Sequence, residues 1–494
     1  MSDSAAGDPA ADEPTADGTP LDPRAADGTP LRSRRGRAIL AATILASSMA
    51  FLDGTITSVA TARIGRDFSA SFGSLQWVVN AYTLPLAALI LLGGALGDRL
   101  GRRRILMLGI AWFAGASLLC ALAPTMPLLI AARAVQGAGA ALMTPASLSI
   151  ISSAIARPDR ARAIGAWSGL SGVSTALGPL VGGWLVQHAS WRWAFAINLP
   201  LAAAAIVFAR GIPPNATRTR EPLDVGGVLL TVAGLGALTW GLTEAGSSGW
   251  GAAPAIAAGA GLLALATFVA LQRRSAHPVV PLRLFADRTF SGANLMTFAT
   301  YGSMGAAFFV LPIALQTASG YGPLAAGLAT LPVTILLLAL SPMSGQLSAR
   351  IGPRLQLTAG PALAAIGCLL LLRVRAGRVS YLADVLPGVA VFGLGLATLV
   401  APLTAAVMGA APDALAGAAP GINNAAARAA SLLAVAVIPA AAGLSGAAYL
   451  DPDRMADGYR VAMVICAAVL ACGGAADAVL IPRPGTATRA AETT

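Results

Sequence analysis

The segment GALGDRLGRR, residues 94–103, returns later in the chain as GQLSARIGPR, residues 345–354. Gly94, Leu96, Arg99, Gly101 and Arg103 match Gly345, Leu347, Arg350, Gly352 and Arg354. A second pair, AVQGAG (134–139) and AVFGLG (390–395), repeats at nearly the same distance. Each copy lies at the edge of, or inside, a long apolar run. The chain therefore reads as one membrane-embedded unit built twice, and the rest of the sequence can be counted against that frame.

Composition places those units in lipid. The 494 residues are 56% hydrophobic and 11% charged, with mean hydropathy +0.72, against about 25% charged residues in an average soluble protein. A helix that crosses a bilayer needs about 20 mostly apolar residues. Runs of that kind fall near 38–60, 75–97, 105–123, 127–150, 163–187, 193–209, 225–243, 252–271, 292–315, 324–347, 355–372, 385–408, 420–446 and 461–481. The expected fold is thus all-α with fourteen transmembrane helices: two six-helix bundles with two helices inserted between them. The expected boundaries are a disordered tail over 1–36, a first bundle over 37–210, a linker with two extra helices over 211–288, a second bundle over 289–482 and a short tail over 483–494. Residues 1–31 are polar, with seven acids and five prolines, a composition that cannot build a core.

The basic residues report orientation. All 33 are Arg; 23 fall on the side of the N-terminus and 8 on the opposite side, with Arg133 and Arg428 inside spans. The positive-inside rule then puts both termini in the cytoplasm. This distribution also accounts for the net charge of +11 without nucleic acid as a partner. The four Cys lack C-x-x-C spacing and the two His lie in different loops, so no metal site or disulfide framework is read. No P-loop, G-x-S-x-G or H-E-x-x-H motif is present. The expectation is a carrier, not an enzyme, with no cofactor and no obligatory protein partner, driven by an ion gradient and not by ATP.

Charges within the spans are the candidate functional groups. An acid at the centre of a membrane helix costs roughly 2.5–3.5 kcal/mol on insertion scales. Asp53 in span 1 bears that cost. Arg133 in span 4 falls at a matched depth, about 10 Å from the N-terminally distal surface at 1.5 Å per residue, if span 1 ends near 60. Two intramembrane charges at one depth are expected to pair. In 94–103, Gly94 permits close packing, and Asp98, Arg99, Gly101 and Arg102 form a surface latch in which the carboxylate holds a neighbouring helix N-terminus. The second copy carries Ala349 in place of Asp98, so the latch is one-sided. In span 5, Gly178, Pro179, Gly182 and Gly183 read as a hinge, because Pro removes a helix donor and Gly allows close backbone approach. Gln136, Trp167 and Asn198 are expected to line the substrate cavity. Trp191 and Trp193 read as interfacial aromatics. Arg428, Glu244 and Asp477 receive no role; Asp477 is within reach of Arg483.

With LDGTITSVA (52–60), GALGDRLGRRR (94–104), RAVQGAGAA (133–141), GPLVGG (178–183), WRWAFAINLP (191–200) and LQTASGYGPLAAGLATLP (315–332), the chain resembles the major facilitator superfamily over roughly 37–485. Within it, the chain is similar to the fourteen-span drug:proton antiporters. That resemblance implies that Asp53 is the membrane-embedded acid of span 1 and Arg133 the proton-transfer arginine of span 4. It implies efflux of a lipophilic, cationic drug or antibiotic across the cell membrane, with protons and the lipid bilayer as the other partners. Two features depart from the pattern. Span 10 has no acid, which weighs against divalent cations, and NNAAARAA (423–430) only loosely follows the usual start of span 13. Dedicated export of a self-made metabolite and uptake by symport stay open beside drug antiport.

Overall fold

The structure is a computed structural model, described over residues 28–213, 224–275, 278–412, 415 and 417–480. The outer parts of both expected tails, including Arg483, lie outside the described residues. Fourteen helices among the described residues are long and apolar enough to cross a membrane. They are α1 (Arg34–Asp67), α2 (Phe72–Leu100), α3 (Arg102–Leu122), α4 (Met126–Ala154), α5 (Arg157–His188), α6 (Arg192–Ala209), α7 (Val225–Ser248), α8 (Ala252–Arg274), α9 (Arg288–Thr317), α10 (Pro323–Ile351), α11 (Arg354–Arg373), α12 (Tyr381–Gly409), α13 (Ala418–Ala441) and α14 (Pro452–Leu480). An even number of spans leaves both described ends on one face, called here the terminus face; the opposite one is the distal face.

One boundary changes an inference. Helix α1 ends at Asp67 and not near 60, because Ala62 and Ile64 are buried even though Arg63 and Arg66 interrupt the apolar run. Asp53 therefore lies about 21 Å from the end of its helix at 1.5 Å per residue, and the matched depth inferred from the shorter span does not hold. Near the terminus face, the last residues expected to form tail are held in place. Thr29 N–H donates to the Ala154 carbonyl (2.8 Å), Ala156 N–H donates to the Thr29 carbonyl (3.0 Å), and Leu31 N–H donates to Asp159 Oδ2 (2.8 Å). The backbone groups left open after α4 find their partners there.

Glycines set the repeat in three dimensions. A Cβ on Gly137 would come 2.1 Å from the Tyr82 carbonyl oxygen on α2, and one on Gly139 2.8 Å from Phe113 N on α3. In the second copy, a Cβ on Gly393 would come 2.8 Å from Val333 Cα on α10, and one on Gly395 2.4 Å from Ala364 N on α11. The two copies of the A-V-x-G-x-G segment thus seat α4 on α2 and α3, and α12 on α10 and α11, in the same way. Lipid supplies no hydrophobic force between helices, so such close backbone contact is what locks their positions. The inserted helices α7 and α8 pack on each other, and α7 also packs on α2 and α13. Asp224 caps α7 by accepting from Gly227 N–H at 2.8 Å, and Gln272 of α8 donates to the same carboxylate.

The bundles meet unequally. One apolar core joins the distal half of the first bundle (Ile64, Phe72, Leu75) to the second bundle (Phe309, Val310, Tyr449). The terminus half of the first bundle keeps a core of its own, with Ile39, Met49, Tyr82 and Ile150. Hydrogen bonds follow the same division. Gln316 Nε2 donates to the Val59 carbonyl (3.0 Å), Gln76 Nε2 to the Val435 carbonyl (2.6 Å), Tyr449 Oη to the Ala70 carbonyl (2.9 Å) and Phe72 N–H to the Gly446 carbonyl (2.7 Å). Among the described residues every hydrogen bond between the bundles lies in the distal half, so the molecule is closed at its distal face.

Candidate functional site

Five helices of the first bundle converge on Asp53. Its residue exposure is 1%, as is that of Arg133, and Arg133 Nη1 lies 2.5 Å from Asp53 Oδ2. The pair that sequence reasoning expected is formed. It forms despite the unequal depths because α1 runs further toward the distal face than α4 does. The remaining oxygen, Asp53 Oδ1, accepts from Gln136 Nε2 at 2.8 Å and from Asn198 Nδ2 at 3.4 Å. Ser117 Oγ on α3 accepts from the same two amides, at 2.8 and 3.3 Å. Gln136 and Asn198, expected to line a cavity, are fully buried and hold the acid. Their amide donors are the groups that a desolvated carboxylate requires.

Arg133 has partners that do not depend on Asp53. Nη1 donates to Gln136 Oε1 at 2.6 Å and Nε donates to the Val78 carbonyl at 3.0 Å. The guanidinium carbon lies 4.4 Å from the Tyr82 ring centroid and 5.6 Å from that of Phe195. A cation held by two neutral acceptors and two ring faces stays solvated by protein when its carboxylate is neutralised. Sequence reasoning missed Ser117, Tyr82, Phe195 and the Val78 carbonyl. Phe195 lies in the quoted WRWAFAINLP (191–200) but carries no charge, Ser117 and Tyr82 lie in none of the quoted motifs, and a backbone carbonyl carries no sequence signal. Only a polar or aromatic residue inside an apolar run could have pointed to the first three.

The other expected residues are distributed differently. Trp167 is half-buried and donates to Ser47 Oγ on α1 at 3.0 Å. Trp191 lies in the turn between α5 and α6 but does not face outward. It is fully buried, donates to Asp67 Oδ2 at 2.9 Å and meets Phe68 edge-on, whereas Trp193 is exposed. Asp98 does not hold a helix N-terminus. Its Oδ1 accepts from Arg102 Nε at 2.9 Å, and Arg102 Nη1 donates onward to the Ser149 carbonyl near the end of α4 at 3.0 Å. The carboxylate thus holds a guanidinium that serves the carbonyl end of α4, the end of a helix dipole that attracts cations. Gly101 between them has φ +99°, and its counterpart Gly352 has φ +82°, a backbone that L side chains rarely adopt.

The glycines of α5 make two contacts. A Cβ on Gly182 would lie 2.9 Å from Ile56 Cγ2 on α1, and one on Gly178 would overlap Thr55 Oγ1. Across the bundle boundary, a Cβ on Gly183 would lie 2.6 Å from Leu324 Cα on α10, and the Pro179 carbonyl faces Gly327 of α10. The Gly-Pro stretch is therefore one of the places where the bundles touch in the distal half. Gly183→Ala is expected to lower the thermal midpoint, through an overpacking cost of about 1–3 kcal/mol, and to slow flux. Gly169→Ala, whose Cβ would meet nothing within 4 Å, is expected to change neither. Unfolding scans and transport assays on the two variants check this.

Comparison with known proteins bears on these features together. The sequence profile of the Major Facilitator Superfamily matches residues 43–435 and 293–493. The chain belongs to that superfamily. Among superfamily members, the tetracenomycin C resistance and export protein of Streptomyces glaucescens is 34% identical over 417 residues, which is 83% of this chain and 76% of that protein. Multidrug resistance protein Stp of Mycobacterium tuberculosis is 36% identical over 393 residues, 78% of this chain and 72% of that one. Puromycin resistance protein pur8 of Streptomyces alboniger is 33% identical over 445 residues, 87% and 88% of the two chains. Among solved structures, a peptide transporter in complex with sulfate superposes with TM-score 0.68 at 13% identity, covering 92% of this chain and 97% of that one. At that identity the likeness concerns the fold alone. As a superfamily member with fourteen spanning helices, the chain is a multi-pass membrane protein.

Proposed function

We propose that this protein exports lipophilic drug- or antibiotic-like molecules across the cytoplasmic membrane in exchange for protons carried by Asp53, with both termini in the cytoplasm. The observation that carries the proton assignment is the enclosed Asp53–Arg133 pair, ringed by Gln136, Asn198 and Ser117. An acid that is costly to ionise in lipid can bind and release a proton as its surroundings change. With the distal face closed, Asp53 is dry and paired. Opening that face admits water from outside, a proton neutralises the carboxylate, and Arg133 rests on Gln136, Val78 and the two rings. Reopening toward the cytoplasm returns the proton inward and restores the pair, and the substrate travels the opposite way. The bundles rock about a site near the midplane, as in transporters built from repeated halves. Relatives named for drug and antibiotic resistance support the direction and the cargo.

A second reading has its own support. Two of these relatives carry the name of a single antibiotic, so export of one dedicated compound fits the same geometry. The test is dye and antibiotic efflux from proteoliposomes under an imposed ΔpH. A broad panel moved by ΔpH supports multidrug export, and one compound moved alone supports the dedicated exporter. Flux that is indifferent to ΔpH overturns proton exchange.

A further inference from the structure

Among the described residues, two intramembrane charges are left without a partner, Arg428 on α13 and Asp477 on α14; Arg428 is the one near the middle of its span. It lies on α13, about 15 Å along the helix from Ala418 at 1.5 Å per residue, near the middle of a 24-residue span. Its Nε is enclosed with no hydrogen-bond partner. The ion pairs among the described residues join Arg63 to Asp67, Arg102 to Asp98, Arg133 to Asp53 and Arg454 to Asp451; none involves Arg428.

Its neighbours place it between the bundles and not against lipid. On one side of Arg428, Ser431 packs into Gly305 of α9. On the other, Leu432 packs with Ala87 and Ala88 of α2. Arg428 lies one turn before Ser431 and Leu432 on the same side of α13, between the helix faces that meet α9 and α2. Arg133, in the first bundle, stands over the Tyr82 ring at 4.4 Å. Asp53 neutralises Arg133, whereas among the described residues no carboxylate pairs with Arg428. Asp477, the carboxylate enclosed within the second bundle, sits near the terminus end of α14 against Gly292 of α9.

We propose that Arg428 is a substrate-binding residue and that it selects a lipophilic molecule bearing an anionic oxygen group, a carboxylate, phenolate or enolate. The inference rests on the exporter reading above and sets the charge of its cargo. An unpaired guanidinium inside a membrane span is costly, and its planar fork matches the two oxygens of a carboxylate or takes the single oxygen of a phenolate or enolate. A cationic cargo would meet Arg428 directly, and the one acid at that level, Asp53, is fully occupied. Exchange of one entering proton for one leaving anion is also electrogenic, so an inside-negative potential drives it in addition to ΔpH.

The experiment uses the full chain and two probes on one scaffold, anthracene-9-carboxylate and (anthracen-9-ylmethyl)ammonium. Fluorescence anisotropy in detergent is expected to give at least about tenfold tighter binding of the carboxylate, the scale of a charged hydrogen-bonded pair. Arg428→Gln is expected to remove that preference, and Arg428→Lys to keep most of it and to report that the site still folds. Equal binding, preference for the ammonium, no binding of either probe, or an unchanged preference in Arg428→Gln each overturns the charge assignment. Transport under ΔpH is measured separately. A bound carboxylate that no gradient moves overturns the exporter reading and leaves the anion site standing, and ΔpH-driven movement of the ammonium alone does the reverse.

Discussion

Asp53→Asn is expected to abolish ΔpH-driven efflux, lowering the initial rate by about a hundredfold or more, the scale at which loss of a positioned proton-transfer group is felt. The substitution is nearly isosteric. In the carboxylate, Oδ2 accepts from Arg133 and Oδ1 from Gln136 and Asn198; the single Asn oxygen keeps one of these two sets, and the nearly equal volume keeps the packing. What disappears is the ability to carry a proton. Energy-independent exchange of substrate across the membrane should therefore survive. That contrast separates lost coupling from lost folding. Proteoliposomes with an imposed ΔpH measure the first quantity and counterflow measures the second. Full ΔpH coupling in the variant would sink the assignment of Asp53.

Arg133→Met should have the largest effect on stability. It leaves the Asp53 carboxylate in a site of 1% exposure without its cation, and breaking one side of a buried ion pair costs about 3–5 kcal/mol. Gln136 and Asn198 remain as donors but cannot supply charge. Adding Asp53→Asn to Arg133→Met removes the stranded charge and is expected to restore most of the loss, since replacing both members of a buried pair is often close to neutral. Neither variant should couple flux to ΔpH. Unfolding free energies of the two singles and the double form a cycle whose interaction term measures the pair. Additive losses would show that Asp53 and Arg133 do not stabilise each other.

Much of the molecule is legible in the sequence because membrane insertion is a local property. Each run of about 20 apolar residues crosses the bilayer on its own account, and all fourteen expected spans correspond to helices. The repeated segments were readable for a related reason. Gly137 and Gly393 do the same packing job in each half, so the same residues occupy equivalent positions. The misreadings arose where a contact overrides local hydropathy. Helix α1 runs on through Arg63 and Arg66 because its buried side continues to Ile64. Trp191 faces inward and not outward because Asp67 and Phe68 enclose it.

The sequence by itself determined the number of helices, the two-fold repeat and the identity of the costly charges, Asp53, Arg133 and Arg428. The tertiary structure alone decided what those charges meet. In a lipid-embedded helix most faces are apolar, so hydropathy leaves the rotation of each helix about its axis unspecified. Rotation is fixed by close glycine contacts with neighbouring helices, and such contacts join residues far apart in the chain. Asp53 and Arg133 are 80 positions apart. Packing turned them, with Gln136 and Asn198, toward one another, sealed the distal face over them, and left Arg428 without an acid.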